Sequence, residues 1–247
     1  MIKKIKRLIS EYRENNKQIL IKLAELEKQS KELEWAHIYH ESIRGREWLE
    51  NLPLNIGRWA GNYSFFYILN RVLNDYKPKR IIEFGLGESS KFVSSYLIHH
   101  LEESSHLIIE QDTQWRALFE SKFVLSSKTS IEVLPLVKKK YKEYEYNGYE
   151  NLESTITSKF DLYIIDGPFG SDHYSRFDIY GLVDKLKRED EFVIMIDDYD
   201  RQGEKETVRE LLQLFKNKEI KVFTETYSGI KSIIVIVTEK YKYITSL

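Results

Sequence analysis

The residues best suited to chemistry stand in three short runs, each an apolar stretch that ends in acids or glycines. The first is Arg80-Ile81-Ile82-Glu83-Phe84-Gly85-Leu86-Gly87-Glu88-Ser89-Ser90-Lys91. Gly85 permits a tight turn there, and Gly87 lets a ligand approach the backbone. The free N–H groups of the helix that follows, with Ser89 and Ser90 as caps, can hold a carboxylate or phosphate. A dinucleotide site asks for a third glycine where Ser90 stands. It also rarely carries an acid so close to a pyrophosphate, whereas Glu83 suits a ligand with an amino group. A structural turn without a ligand is the third reading.

The other two runs are Phe160–Pro168, which ends an apolar stretch in Asp166, and Met195–Asp200, which ends one in Asp197 and Asp198. In an open α/β sheet, ligands bind at the carboxyl ends of the strands, so these acids should converge. Converging carboxylates repel unless they are protonated, hydrogen-bonded or bridged by a cation. An all-oxygen donor set suits Mg2+, Mn2+ or Ca2+, and a bound dication makes a coordinated hydroxyl more acidic. Metal-free readings stand beside this one. Asp166-Gly167-Pro168 is a good turn, and Asp198 or Asp200 can cap the next helix. Asp166 and His173 are the candidate catalytic residues, since a histidine titrates near about 6.5 and can act as a general base. Arg176 either holds an acidic acceptor or pairs with an aspartate such as Asp178. Within Asn55–Tyr63, Arg58, Trp59 and Tyr63 either cover a ligand or pack in the core.

Alternating strand and helix signals position these runs. Strands are expected at Arg80–Phe84, Leu107–Glu110, Ile131–Val137, Asp161–Ile165, Glu191–Ile196, Lys221–Thr226 and Ser232–Thr238. Helices are expected at Tyr63–Tyr76, Ser89–Leu101, Thr113–Phe123, Tyr174–Leu186 and Glu204–Phe215. Short all-apolar strands between helices predict a mostly parallel sheet buried on both faces, with the last two strands forming an antiparallel hairpin. The Lys/Glu/Tyr-rich stretch Val137–Asn151 reads as a solvated excursion or flap. Residues 1–50 form a helical extension to a domain of residues 51–247. Its apolar residues (Ile2, Ile5, Leu8, Ile9, Tyr12, Ile19, Leu23, Leu26) recur at helical spacing. Three uses are open: helices lying on the domain, a homodimer arm whose heptad breaks near Glu14–Asn16, or a basic helix on an anionic membrane.

Glu83-Phe84-Gly85-Leu86-Gly87 resembles motif I of class I S-adenosylmethionine-dependent methyltransferases, with Ser89 in place of the third glycine. The resemblance extends over roughly residues 58–247. It implies a Rossmann-like seven-stranded sheet ending in a reversed hairpin. It also implies S-adenosylmethionine held by Glu83, Gly85, Gly87, Ser89 and Ser90, with Glu110 on the ribose hydroxyls. Asp166, Asp197 and Asp198 are similar to the metal-binding acids of cation-dependent O-methyltransferases, which implies Mg2+ or Mn2+. The Asp166-Gly-Pro run with its later Ser175-Arg176 and Tyr180 resembles polysaccharide O-methyltransferases.

The composition narrows the classes. The chain has 247 residues, of which 42% are hydrophobic, enough for a sizeable core. It has no cysteine, which removes disulfides, thiolate metal sites and Cys nucleophiles. A net charge of -1 argues against nucleic acid as partner. No apolar run approaches about 18 residues, and the basic N-terminus lacks the apolar segment of a signal peptide, so a cytoplasmic location is expected. The leading function is an O-methyltransferase acting on a small-molecule or saccharide hydroxyl. The alternatives are a catalytically idle scaffold recruited through its N-terminal helices and a nicotinamide-dependent oxidoreductase.

Overall fold

The computed structural model describes residues 2–57 and 59–247, with Ile2, Lys3 and Ile5 described by backbone alone. Five parallel strands form the centre of one sheet: β1 (Arg80–Phe84), β2 (Ser105–Glu110), β3 (Thr129–Val133), β6 (Leu162–Ile165) and β7 (Val193–Ile196). The hairpin of β8 (Phe223–Ser228) and β9 (Ser232–Val237) closes it, with β9 antiparallel to β7. The order β3-β2-β1-β6-β7-β9-β8 makes seven strands, as expected.

Alternation along the strands divides the core in two. Ile81, Leu162, Ile164, Val193, Met195, Val235 and Val237 face helices α1 (Ile2–Ile43), α3 (Tyr63–Arg71) and α4 (Glu88–His99). Ile82, Phe84, Tyr163, Ile165, Ile194, Ile196 and Ile236 face α7 (Asp178–Val183) and α8 (Gln202–Asn217). Burial on both faces is why these strands read as continuous apolar runs. Two short helices, α2 (Glu47–Glu50) and α6 (Leu152–Thr155), lie in connections, and α5 (Thr113–Lys122) joins β2 to β3. Among the described residues, no helix is long and apolar enough to cross a membrane.

Three expectations are corrected. Val137–Asn151 is no solvated flap. Pro135 ends the expected strand, and a hairpin of β4 (Leu136–Tyr141) and β5 (Tyr144–Tyr149) follows. Tyr146 and Tyr149 are buried, and the Lys139 Nζ lies 2.7 Å from Asp178 Oδ1. The helix expected from Tyr174 starts only at Asp178, because Tyr174 and Arg176 adopt positive φ. Finally, α1 is one continuous helix through Glu14–Asn16, and residues 6–31 are exposed rather than lying on the domain. Its last turns are core: Tyr39 and Ile43 are buried, and Trp35 packs beside them.

Candidate functional site

The carboxyl ends of β1, β6 and β7 carry the site. Gly85, at φ 96°, continues the ladder by donating to Ile109 O at 2.9 Å. A Cβ on Gly85 would stand 3.4 Å from Gly167 N and 3.6 Å from Asp166 C, so the turns after β1 and β6 touch backbone to backbone. A Cβ on Gly167 would come within 2.9 Å of Gly85 N and 3.0 Å of Phe84 C. Neither turn can give way to it. Gly167→Ala is therefore expected to lower stability by about 1–3 kcal/mol in urea unfolding. Gly87, in contrast, has no other described residue within 4 Å of the Cβ position, its chain neighbours aside. Its extended backbone borders open space at the start of α4.

Several expected ligand contacts are directed into the protein instead. Glu83 is fully buried, because alternation turns its side chain to the α4 face of the sheet. There Ser89 Oγ donates to one carboxylate oxygen, and His106 Nε2 lies 2.9 Å from the other. Glu83 therefore cannot meet a ligand's amino group in this arrangement. The hydroxyls of Ser89 and Ser90 are also engaged, since Ser90 Oγ accepts from Gly87 N–H at 3.0 Å. Glu110 is buried and accepts from the backbone N–H groups of Leu86, Gln111 and Asp112 at 2.8–2.9 Å. A carboxylate offers about four acceptor positions, and three are in use. Asp112 caps α5 through Gln114 N–H and Trp115 N–H.

Oxygens of Asp166, Asp197 and Asp198 do converge, within 4.8 Å of one another. Cations stand among them. The Arg176 guanidinium donates to Asp166 Oδ1 at 3.3 Å, Asp198 Oδ2 at 2.9 Å and Asp197 O at 2.9 Å. Its Nε lies 3.7 Å from the buried Glu204. The Lys231 ammonium is 3.3 Å from Asp197 Oδ2 and 3.6 Å from Asp198 Oδ1, and it donates to Ala60 O. Arg201 adds a contact at 3.0 Å to Asp198. Arg176 and Asp198 both adopt left-handed backbone, at φ 57° and 58°. For non-glycine residues this conformation persists only where the surroundings impose it.

Burial, together with repulsion from Asp197, holds the Asp166 carboxyl well above the usual range. Burial and Asp198 push Asp197 up, and burial raises Glu204. Burial alone would lower the Lys231 ammonium, but Asp197, Asp198 and Asp166 outweigh it and raise it. Of the three aspartates, Asp166 is the most open, with 19% of its side chain exposed against 0% and 8% for Asp197 and Asp198.

A divalent cation meets the right donor type here, and the buried Asp197 Oδ1 lacks a hydrogen-bond partner. The charges do not fit one. Arg176 and Lys231 already neutralise most of the cluster and would have to leave as a dication entered.

His173 is not brought to these acids. Its Nδ1 lies 3.0 Å from Glu206, and its ring stacks on Tyr144 at 3.9 Å. Arg176 pairs with aspartates, but not with Asp178, which Lys139 takes. Trp59 is 94% exposed and belongs to no core, while Tyr63 packs on Tyr39. Arg58 lies outside the described residues. Lys231, Arg201 and Glu204 escape the sequence reading. A signal for Glu204 exists, because it shares the 3–4 spacing of Thr207, Val208, Leu211 and Phe215, the buried face of α8.

No family model and no curated protein matches the chain. Solved structures do. The O-methyltransferase TomG from Streptomyces achromogenes, involved in tomaymycin synthesis and solved in complex with SAM, superposes with a TM-score of 0.52 at 11% identity. The match covers 83% of this chain and 88% of that one. An O-methyltransferase from Bacillus cereus in complex with SAH gives a TM-score of 0.50 at 13% identity, covering 82% of this chain and 91% of that one. The chain has the Rossmann-like fold of the class I methyltransferases.

Proposed function

We propose that the protein is an S-adenosylmethionine-dependent O-methyltransferase acting on the hydroxyl of a small-molecule or saccharide acceptor. One observation carries the reading: the contact between Gly85 and Gly167 sets the partly open Asp166 beside the glycine turn, whose open space at Gly87 is a ready cradle for a cofactor. The backbone of Gly85–Gly87 and the first N–H groups of α4 would hold S-adenosylmethionine, with the remaining acceptor position of Glu110 available to a hydroxyl. When bound, this cofactor supplies an electrophilic methyl group. Asp166 accepts the proton of the acceptor hydroxyl as its oxygen gains the methyl. A carboxylate with a raised pKa is a stronger base than an ordinary one. Arg176 orients the carboxylate, and Lys231 adds positive charge nearby.

Titration calorimetry with S-adenosylhomocysteine tests the cofactor site. Binding is expected, and its absence would promote the scaffold reading, which the inward-facing Glu83 favours. Gly87→Ala is expected to weaken that binding about tenfold and to leave the melting temperature unchanged. An equal loss of stability would show that Gly87 serves the turn alone. Turnover in EDTA tests for Mg2+ or Mn2+ on Asp166, Asp197 and Asp198. The charges of Arg176 and Lys231 favour activity that EDTA does not touch, and rescue by Mg2+ would establish the metal-assisted form.

Trp59 is the acceptor platform in this reading, since aromatic faces stack on sugars and phenols. It stands next to Ala60, whose carbonyl oxygen accepts from Lys231. For Trp59→Ala, KM for the acceptor should rise several-fold, with the fold's stability within about 0.5 kcal/mol of wild type. A stability loss with unchanged KM would remove Trp59 from the site.

A further inference from the structure

The long helix α1 carries an apolar seam that no described residue of the domain covers. Placing Asn16 at heptad position a puts Ile9, Asn16, Leu23 and Ser30 at a, and Tyr12, Ile19, Leu26 and Leu33 at d. In the sequence, Ile2 and Ile5 continue the same frame. The polar interruption near Glu14–Asn16 is thus a single polar seam position inside an unbroken helix. Tyr12, Ile19, Leu23, Leu26 and Leu33 are all exposed, Leu33 by 73%.

The domain docks on the other side. Glu32, Trp35 and Tyr39 sit at c, f and c. Glu32 accepts from Tyr63 N–H, Asn62 Nδ2 and Ile230 N–H, each at 2.9 Å, while Trp35 and Tyr39 join the core. At 3.6 residues per turn, the c/f face lies about 160° from the a/d seam. The seam therefore runs clear of the domain, and it ends at Leu33, after which His37 and His40 occupy a and d. Most helical stability in proteins comes from packing an apolar face, and over residues 6–31 the described domain packs on none of α1. Surface pairs such as Arg7–Glu11 and Lys31–Glu27 add only a few tenths of a kcal/mol each.

We propose that this seam is covered by a second copy of the chain, in a parallel, in-register two-stranded coiled coil over residues 2–33. Two features select that occupant. In parallel register, Asn16 faces its own counterpart and the two amides can pair, the device by which one polar a position sets register and strand number. In antiparallel register, Asn16 would face Ile19 and remain unpaired. Parallel register also sets Lys22, at g, against Glu27, at e of the other copy, and no g–e′ pair joins like charges. Leu8 and Leu20, at g and e, widen the apolar contact. Both domains then hang from the same end of the coil, on opposite sides.

The absence of native cysteine makes a clean test. Leu26→Cys is expected to give a covalent dimer on mild oxidation, because position 26 faces position 26 only in parallel register. Light scattering on the full chain should give twice the chain mass. Lys22→Glu should raise the dimer dissociation constant about tenfold, and the double variant K22E/E27K should restore it. For the seam variant I19E/L23E, a monomer with an unchanged domain circular dichroism spectrum is expected. A monomeric wild type overturns the proposal. So does cross-linking confined to the pair Ile9→Cys and Leu26→Cys, which reports antiparallel packing. A monomer that binds vesicles containing phosphatidylserine through this face overturns it as well.

Discussion

Replacing Arg176 with alanine is expected to cost about 3–5 kcal/mol at neutral pH, the range for removing one partner of a buried ion pair. The guanidinium is 4% exposed and holds Asp166, Asp198 and the Asp197 carbonyl together, with Glu204 behind it. Without it, Arg201 is the cation left near Glu204 among the described residues, and the Glu204 carboxylate is already penalised by burial. The pH dependence gives the sign. Losing Arg176 raises the folded-state pKa of Asp166 and Glu204 further. A raised folded pKa contributes stability that is full below the unfolded value, about 4, and is lost as pH rises through the folded one. The deficit of Arg176→Ala against wild type should therefore be greatest near pH 8 and shrink toward pH 5. Urea unfolding at both pH values measures it. A deficit independent of pH would show that the side chain matters by packing alone. Arg176→Lys should recover little, because one ammonium cannot reproduce donors to Asp166, Asp198 and two carbonyls at once.

The parts legible in the sequence are those where one residue type answers one physical demand. Strands buried on both faces must be apolar throughout, so Arg80–Phe84, Asp161–Ile165 and Glu191–Ile196 stand out and their carboxyl-end acids can be placed. Gly85 is legible because only glycine suits both φ 96° and the backbone contact with Gly167. The rest depends on partners far away in the chain. The hairpin of Val137–Asn151 hides because its turn uses Lys142 at φ 53° instead of Asn or Gly, and because lysines share the strands with buried tyrosines. Lys231 becomes a site residue only through the register of β9 on β7, Ile234 opposite Ile196, which carries position 231 to the end where Asp197 and Asp198 stand. Glu83 misleads for the same reason. Motif spacing locates the residue, but the strand's alternation decides which face its carboxylate enters.

Asp166→Asn should separate stability from chemistry. The wild-type carboxyl carries a raised pKa because ionisation is opposed by burial and by Asp197. Asparagine keeps an oxygen for Arg176 and removes that charge. The variant should match the melting temperature of wild type near pH 5 and equal or exceed it at pH 8. The sign follows from the raised pKa: wild type loses stability relative to the uncharged variant as pH rises through the folded value. Under the proposed function, the same change removes the base that takes the acceptor's proton, and such bases contribute about 100-fold or more. Turnover should fall by at least that much while binding of S-adenosylhomocysteine persists, because the cradle at Gly87 is untouched. A variant that binds the cofactor product and turns over normally would take Asp166 out of catalysis. The cluster would then be a structural ion network tying β6 and β7 to the hairpin through Lys231. An active variant made less stable at every pH would point to the same structural role.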